Sequence, residues 1–346
     1  MQTQIIKQAV GIDVSKDSVT VRYGSMDKEQ NQLITNSVTF DNAPNGHEKL
    51  FIWAQKQKLS DDVPLWFLME ATGVYYENLA YFLSEKADQK VVVILPNKAK
   101  SFSKTLEQKS KTDDIDSKNL TILALEKPLT AWNITPELMR QLKALTREHL
   151  TLKEMATQVK NQMHAKKNSY KPLKQTIRRL QQQLNLYYKQ LKDIEKQIHE
   201  LVDSDKDLKD RIDKIDKIEG LGLMTIVTII AETNGFALIE NQRQLTSYSG
   251  LDVVHNSSGL KKGKTSISKK GNKFIRRALF MPALVAIRYN QKLKELFIRL
   301  VAKKNVKKVA LIAVARKLLV LIYTIWKNNT DYIPNYTPAN AGKNIR

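Results

Sequence analysis

From Leu173 onward the apolar residues of this chain recur at alternating intervals of four and three: Leu173, Ile177, Leu180, Leu184, Tyr187, Leu191, Ile194, Ile198 and Leu201. A repeat averaging 3.5 residues keeps all nine side chains on one seam of an α-helix, and water tolerates such a seam only when a second helix covers it. A shorter run with the same spacing precedes it: Leu142, Leu145, His149, Leu152, Ala156, Val159 and Met163. The join between the runs, Lys166 to Pro172, holds the only proline between Pro136 and Pro282. The pattern predicts a coiled coil over residues 131–214. Its helices either fold back on each other as an antiparallel hairpin or pair with a second chain. A helical middle of this length separates the 346 residues into an N-terminal and a C-terminal part.

Residues 1–130 read as an α/β domain. Short runs with β-branched content predict strands at Ala9 to Val14, Val19 to Tyr23 and Ile34 to Thr39, and the apolar runs Pro64 to Met69 and Val91 to Leu95 read as buried strands. Helical spacing falls at Asn42 to Gln57 and Val74 to Glu85. The order is three strands, helix, strand, helix, strand, helix. That order fits an RNase H-like sheet whose first three strands form an antiparallel meander.

Residues 215–330 form a third, mostly helical region, followed by a tail at 331–346. Seven of the 12 glycines lie between Gly220 and Gly271, where close backbone approach would use them. Ile218-Glu219-Gly220-Leu221-Gly222, leading into an apolar helix, has the form of a helix-hairpin-helix turn. Such a helix start can hold a phosphate through its free N–H groups, or it can be an ordinary capped start. The apolar stretch Val309 to Trp326 is interrupted by Arg316-Lys317 and reads as a buried helix rather than a membrane span.

The net charge of +22 is concentrated. Residues 251–346 hold 21 lysines and arginines against three acids. A field of that sign and density favours a polyanion, with nucleic acid the first choice. With no cysteine, disulfides and thiolate metal sites are excluded. The polar N-terminus has no apolar signal core, so a cytoplasmic location is expected.

Against this background four acids stand out: Asp13 in Gly11-Ile12-Asp13, Glu70 in Glu70-Ala71-Thr72-Gly73, and Asp113 and Asp116 in Lys111-Thr112-Asp113-Asp114-Ile115-Asp116. Carboxylates from separate elements, converging on two Mg²⁺ ions about 4 Å apart, can activate a phosphodiester. Asp113 and Asp116 are three apart and share a helix face, whereas Asp114 and Asp17 point elsewhere and read as solvated. Singly, each acid reads as a surface charge or a cap, Asp113 as an N-cap. An Asp in a Gly-Ile-Asp strand also opens actin-like ATPases, but no duplicated half with a second glycine-rich phosphate loop follows here.

The order Gly11-Ile12-Asp13-Val14-Ser15-Lys16, Glu70-Ala71-Thr72-Gly73, Lys111-Thr112-Asp113-x-x-Asp116, Tyr248-Ser249-Gly250-Leu251, Ser258-Gly259 and Ile267-Ser268-Lys269-Lys270-Gly271-Asn272 resembles the DEDD-type insertion-sequence transposases. The resemblance covers nearly the whole chain. It implies a RuvC-like N-terminal domain, a C-terminal transposase domain and kinship with site-specific DNA invertases. It further implies a recombinase that cuts and rejoins double-stranded donor and target DNA with Mg²⁺, or alternatively Mn²⁺. The implied acidic residues are Asp13, Glu70, Asp113 and Asp116. The implied nucleophile is Ser258, bonding transiently to a DNA phosphate. A structured guide RNA and homodimers assembling into homotetramers, with sites built from two protomers, are implied as well. The chain departs from the family pattern at Glu219 and Val253, where proline is usual. Both changes bear on loop geometry, and so on whether Ser257 or Ser258 is the nucleophile. Ser258 is preferred because it directly precedes Gly259.

A serine hydroxyl needs activation to attack phosphorus, and a metal held by carboxylates can supply it. Lys261, Lys262, Lys264, Lys269, Lys270, Lys273, Arg276 and Arg277 are candidates to bind the DNA backbone and offset transition-state charge. Two other functions use the same residues. One is a RuvC-like junction-resolving nuclease acting through the carboxylates alone. The other is a non-enzymatic nucleic-acid-binding scaffold.

Overall fold

Alternation along the strands of the N-terminal unit, Met1–Ile134, assigns each residue to one of two sheet faces. The computed structural model describes residues 4–86, 90–106, 112–237, 239–254, 257–258, 261–262 and 266–334. The strands are β1 (Ile5–Val14), β2 (Ser18–Asp27), β3 (Gln32–Ile34), β4 (Val38–Asp41), β5 (Leu65–Glu70) and β6 (Lys90–Ile94). They hydrogen-bond in the order β3-β2-β1-β5-β6, with β4 also on β2. β1 runs antiparallel to β2 and parallel to β5, and β5 runs parallel to β6. The sheet is therefore mixed.

On one face, Val10, Ile12 and Val14 join Val19, Val21, Phe67 and Met69 against α1 (Pro44–Gln57) and α2 (Glu77–Glu85). On the other, Ala9, Leu68 and Val92 pack against Ala99 of α3 (Pro96–Thr105) and Leu120, Ala124 and Leu125 of α4 (Asp113–Glu126). The single strand expected at Ile34 to Thr39 is instead two short ones, β3 and β4, each paired with β2. The break between them is held by Arg22, whose Nη1 donates to the Thr35 carbonyl at 2.8 Å.

The second unit, Thr135–Arg346, is helical. α5 (Glu137–Lys167) and α6 (Lys174–Asp203) pack antiparallel within one chain. Their distal seam is narrow: Ala156, Val159 and Leu184, flanked by Met163, Leu180 and Tyr187. Nearer the root, Leu142, Ile194, Ile198 and Val202 enter one large core. That core is shared with α7 (Lys206–Asp216), α8 (Leu223–Glu232), α9 (Gln242–Tyr248), α10 (Lys273–Tyr289), α11 (Gln291–Lys304) and α12 (Lys307–Asn328). The hairpin is thus continuous with the C-terminal helices. α12 is long and apolar enough to cross a membrane, yet Leu311, Val314, Leu318, Leu319 and Ile322 are buried in this core. Arg316 and Lys317 face outward, as a core helix with one wetted side requires.

Candidate active site and nucleic-acid interface

Gly11 decides where α4 lies. A Cβ at this position would collide with the backbone nitrogen and hydroxyl of Thr121 and with the carbonyl of Ser117. Farther along, Gly24, the register partner of Ala9, meets Thr121 and Leu125. α4 therefore runs antiparallel to β1, and its first turn points toward the end of β1 that carries Asp13. Asp13 and Glu70 each lie one residue beyond Ile12 and Met69, the last paired positions of the parallel β1 and β5. Gly11 and Leu68, two residues earlier on the same strands, face α4, so Asp13 and Glu70 do too. Both are half-buried. They stand at the carboxyl ends of parallel strands, where open α/β sheets bind their ligands.

The first turn of α4 sorts its three aspartates. Thr112 is the N-cap, its hydroxyl accepting from the Ile115 amide at 3.2 Å, so Asp113 is not needed as a cap. Asp114 is not merely solvated. It accepts from Arg22 Nη2 and from the Ser37 hydroxyl, both at 2.5 Å. The Ser37 hydrogen bond, then the Arg22 guanidinium, hold its carboxyl below the usual aspartate range. Asp114 thereby pins the helix start to β2. Asp113, exposed, and Asp116, half-buried, share the remaining face. Among the described residues, no group of three or more His, Asp or Glu side chains is close enough to hold one metal ion. The donor set itself, carboxylates without thiolate or imidazole, is the kind that Mg²⁺ takes.

In the second unit, Ser257 and Ser258 form β8, paired antiparallel with Lys261 and Lys262 of β9; Ser258 stands opposite Lys261. This ladder is nested in sequence inside another, β7 (Val253–Val254) with β10 (Ser266–Ile267). Below them the Lys269 amide donates to the Gly250 carbonyl at 3.2 Å and the Asn272 amide to the Tyr248 carbonyl at 2.7 Å. Gly271 permits this closure, since a Cβ there would strike the Gly250 nitrogen and the Tyr248 carbonyl at 2.5 Å. The serine-bearing segment is therefore pinched shut at its base.

The basic candidates divide. Lys269, Lys270 and Lys273 are exposed. Arg276 turns inward and donates to the Ser249 carbonyl at 2.7 Å, bracing the pinched base. Arg277 pairs with Glu154 of α5. Lys264 lies outside the described residues, as do the side chains of Ser257, Ser258, Lys261 and Lys262.

A DEDD transposase family model matches residues 10–172, and the model of the transposase IS116/IS110/IS902 family matches residues 212–297. The chain belongs to the IS110-type transposases. It is an enzyme that acts on DNA, cutting and rejoining strands. Two pilin gene-inverting proteins, from Moraxella bovis and Moraxella lacunata, are each 26% identical to this transposase over 331 residues, 94% of its length and 98% of theirs. Among solved structures, the Ppx/GppA family member of Aquifex aeolicus aligns with 94% of the chain at 10% identity, but its TM-score of 0.21 carries no argument. In the transposase, Asp13, Glu70, Asp113 and Asp116 all fall within the first matched segment. Ser258 and the eight basic candidates fall within the second.

A buried polar cluster of the transposase lies beneath the serine-bearing segment. Glu232, the last residue of α8, is fully buried in its side chain and held by Arg147 of α5. Asn272 Nδ2 donates to the same carboxylate at 2.6 Å, and the Tyr248 hydroxyl donates to the Glu232 carbonyl at 2.7 Å. Asn272 and Tyr248 are the two ends of the pinched base. The available signal was an acid closing an otherwise apolar ten-residue helix.

Proposed function

We propose that this transposase is a metal-dependent, serine-using DNA recombinase. In this reading residues 1–130 are an RNase H-like (RuvC-like) catalytic domain, 131–214 an antiparallel coiled coil and 215–330 the transposase domain. One observation carries it. Asp13 and Glu70 stand on one sheet face at adjacent strand ends, and the antiparallel α4 brings Asp113 and Asp116 to that end.

In this reading Asp13, Glu70, Asp113 and Asp116 would hold Mg²⁺, with Mn²⁺ as a substitute. When bound, the metal polarises a phosphodiester and lowers the pKa of a coordinated hydroxyl. Ser258 Oγ loses its proton and bonds to phosphorus as the bridging P–O bond breaks. The departing strand end takes up a proton and leaves as a free hydroxyl. Attack by a hydroxyl of another strand reverses the step, releases Ser258 and rejoins the DNA. No outside oxidant, reductant or nucleotide is required. Lys261, Lys262, Lys264, Lys269, Lys270 and Lys273 contact the DNA backbone in this reading, while Arg276 and Arg277 position the loop. A structured RNA that pairs with donor and target supplies sequence choice, and dimers join as tetramers.

The test is adduct formation on a labelled donor duplex with Mg²⁺. The unaltered chain is expected to give a covalent protein–DNA band, which Ser258→Ala and Asp13→Ala both abolish. Full strand cleavage by Ser258→Ala would instead establish a nuclease that uses carboxylates alone. An adduct band that persists in both variants would place the chemistry on other residues, and neither cleavage nor adduct from the unaltered chain would favour a binding scaffold.

A further inference from the structure

The helical hairpin is electrically divided. Between Glu154 and Asp193 there is no acidic residue, yet this stretch holds nine lysines and arginines. All nine are exposed; seven of them, from Lys160 to Arg179, line the distal halves of α5 and α6 and the turn at 168–173, and Lys189 and Lys192 follow just past the middle of α6. Toward the root the same two helices mix signs: His149 with Glu195, Lys196 with Glu200, and Glu154 with Arg277. A face kept only for solubility would look like the root. The distal seam, built on Ala156, Val159 and Leu184, does not require uncompensated charge. Cations crowded within a screening length of about 8 Å repel each other and weaken the fold that carries them. At the turn, Tyr170 is 88% exposed, with the Lys171 ammonium 5.2 Å from its ring centre.

We infer that the distal hairpin is a DNA-binding arm, separate from the basic C-terminal region, that grips the backbone of duplex DNA. Lys160, Lys166 and Lys167 on one helix and Lys174, Arg178 and Arg179 on the other present charge along both sides of the tip. A strand of duplex offers a phosphate every ~3.4 Å of axis, so a row of this kind meets several at once. Tyr170 adds a rigid amphipathic contact at the end. A lipid surface is disfavoured, because only Tyr170 and Leu173 are exposed apolar side chains amid lysine, asparagine and serine at the turn. This arm goes beyond the recombination chemistry and needs neither the metal nor Ser258. Its test reads binding alone and can fail while that chemistry stands.

The full chain is titrated with a fluorescent 40-base-pair duplex across about 50–200 mM salt, the range in which phosphate contacts dominate affinity. In K166Q/K167Q/K171Q/K174Q, binding is expected to weaken at least about tenfold, and the log K against log salt slope to become shallower by about 3, near 0.9 per lost phosphate contact. In the unaltered chain, the duplex is expected to protect Lys171 and Lys174 from acetylation, read by mass spectrometry. That readout decides the matter should the variant lose helicity. Equal affinity and slope in a folded variant would overturn the arm. So would protection by an RNA duplex or phosphatidylserine vesicles but not by DNA.

Discussion

Arg147 holds Glu232 through two parallel hydrogen bonds, Nε to Oε1 at 2.6 Å and Nη2 to Oε2 at 2.9 Å. The guanidinium also lies 4.4 Å from the ring centre of Phe274, in the first turn of α10. One arginine thereby joins α5, α8 and α10 directly beneath the serine-bearing segment. The pair is asymmetric: the Arg147 side chain is 43% exposed, and that of Glu232 is 0% exposed.

The asymmetry predicts unequal costs. Arg147→Ala strands a buried carboxylate and should destabilise the second unit by about 3 kcal/mol. Glu232→Gln keeps an acceptor and leaves an arginine that water can reach, so it should cost about 1 kcal/mol. Urea unfolding of each variant checks the order. Equal losses would mean that packing, not charge, dominates the pair.

Gly11→Ala should move α4. Its Cβ meets backbone atoms of Thr121 and Ser117, which cannot rotate away. Overpacking of this kind costs about 1–3 kcal/mol. Because the displaced helix carries Asp113 and Asp116, strand cleavage should fall even at temperatures where the variant is folded. Full cleavage by a folded Gly11→Ala would detach the helix from the site.

Ser257 and Ser258 are consecutive on β8, and the proposed nucleophile is Ser258. Ser258→Ala should lower strand cleavage by at least about 10³-fold, the scale of losing an attacking group. Ser257→Ala should retain activity within a fewfold. The reverse pattern in a gel-based cleavage assay would move the nucleophile by one residue.

His47 supplies a pH test in the first unit. It is buried beside Phe82, with Nε2 2.8 Å from Asn42 Oδ1. Burial lowers its pKa below the ordinary 6.5. The unfolded chain therefore takes up a proton first as pH falls. The stability contributed by neutral His47 is full above pH 6.5 and declines from there toward the folded pKa. Urea midpoints for the first unit should drop between pH 7.5 and 5.5, and less steeply in His47→Gln. Identical slopes would assign the drop to other groups.

The helical middle was legible because Leu173 to Leu201 repeat a period that only a helix satisfies. The strand positions of Asp13 and Glu70 were legible because Asp13 sits in a short run with β-branched content and Glu70 ends a continuous apolar run. What escaped was set by single tertiary partners. Nothing in Ile34 to Thr39 announces a break, because Arg22, distant in sequence, makes it. Helix spacing sets Asp114 apart from Asp113 and Asp116 but reads it as solvated, because its partners Arg22 and Ser37 come from elsewhere in the chain. Glu232 gives no sign of burial in its own segment, because its partner Arg147 is 85 residues away.

The root of the hairpin lies inside the second unit's core, at Leu142, Ile194 and Ile198. From Leu142 to Lys167 a helix rises about 37 Å at 1.5 Å per residue. Such an arm is a lever with its fulcrum in the core. A load at the tip becomes torque at the root, one turn from Arg147. From there the linkage runs through Glu232 and Asn272 to the base of the serine segment. Whatever engages the tip can thus be felt, mechanically, where that segment is anchored.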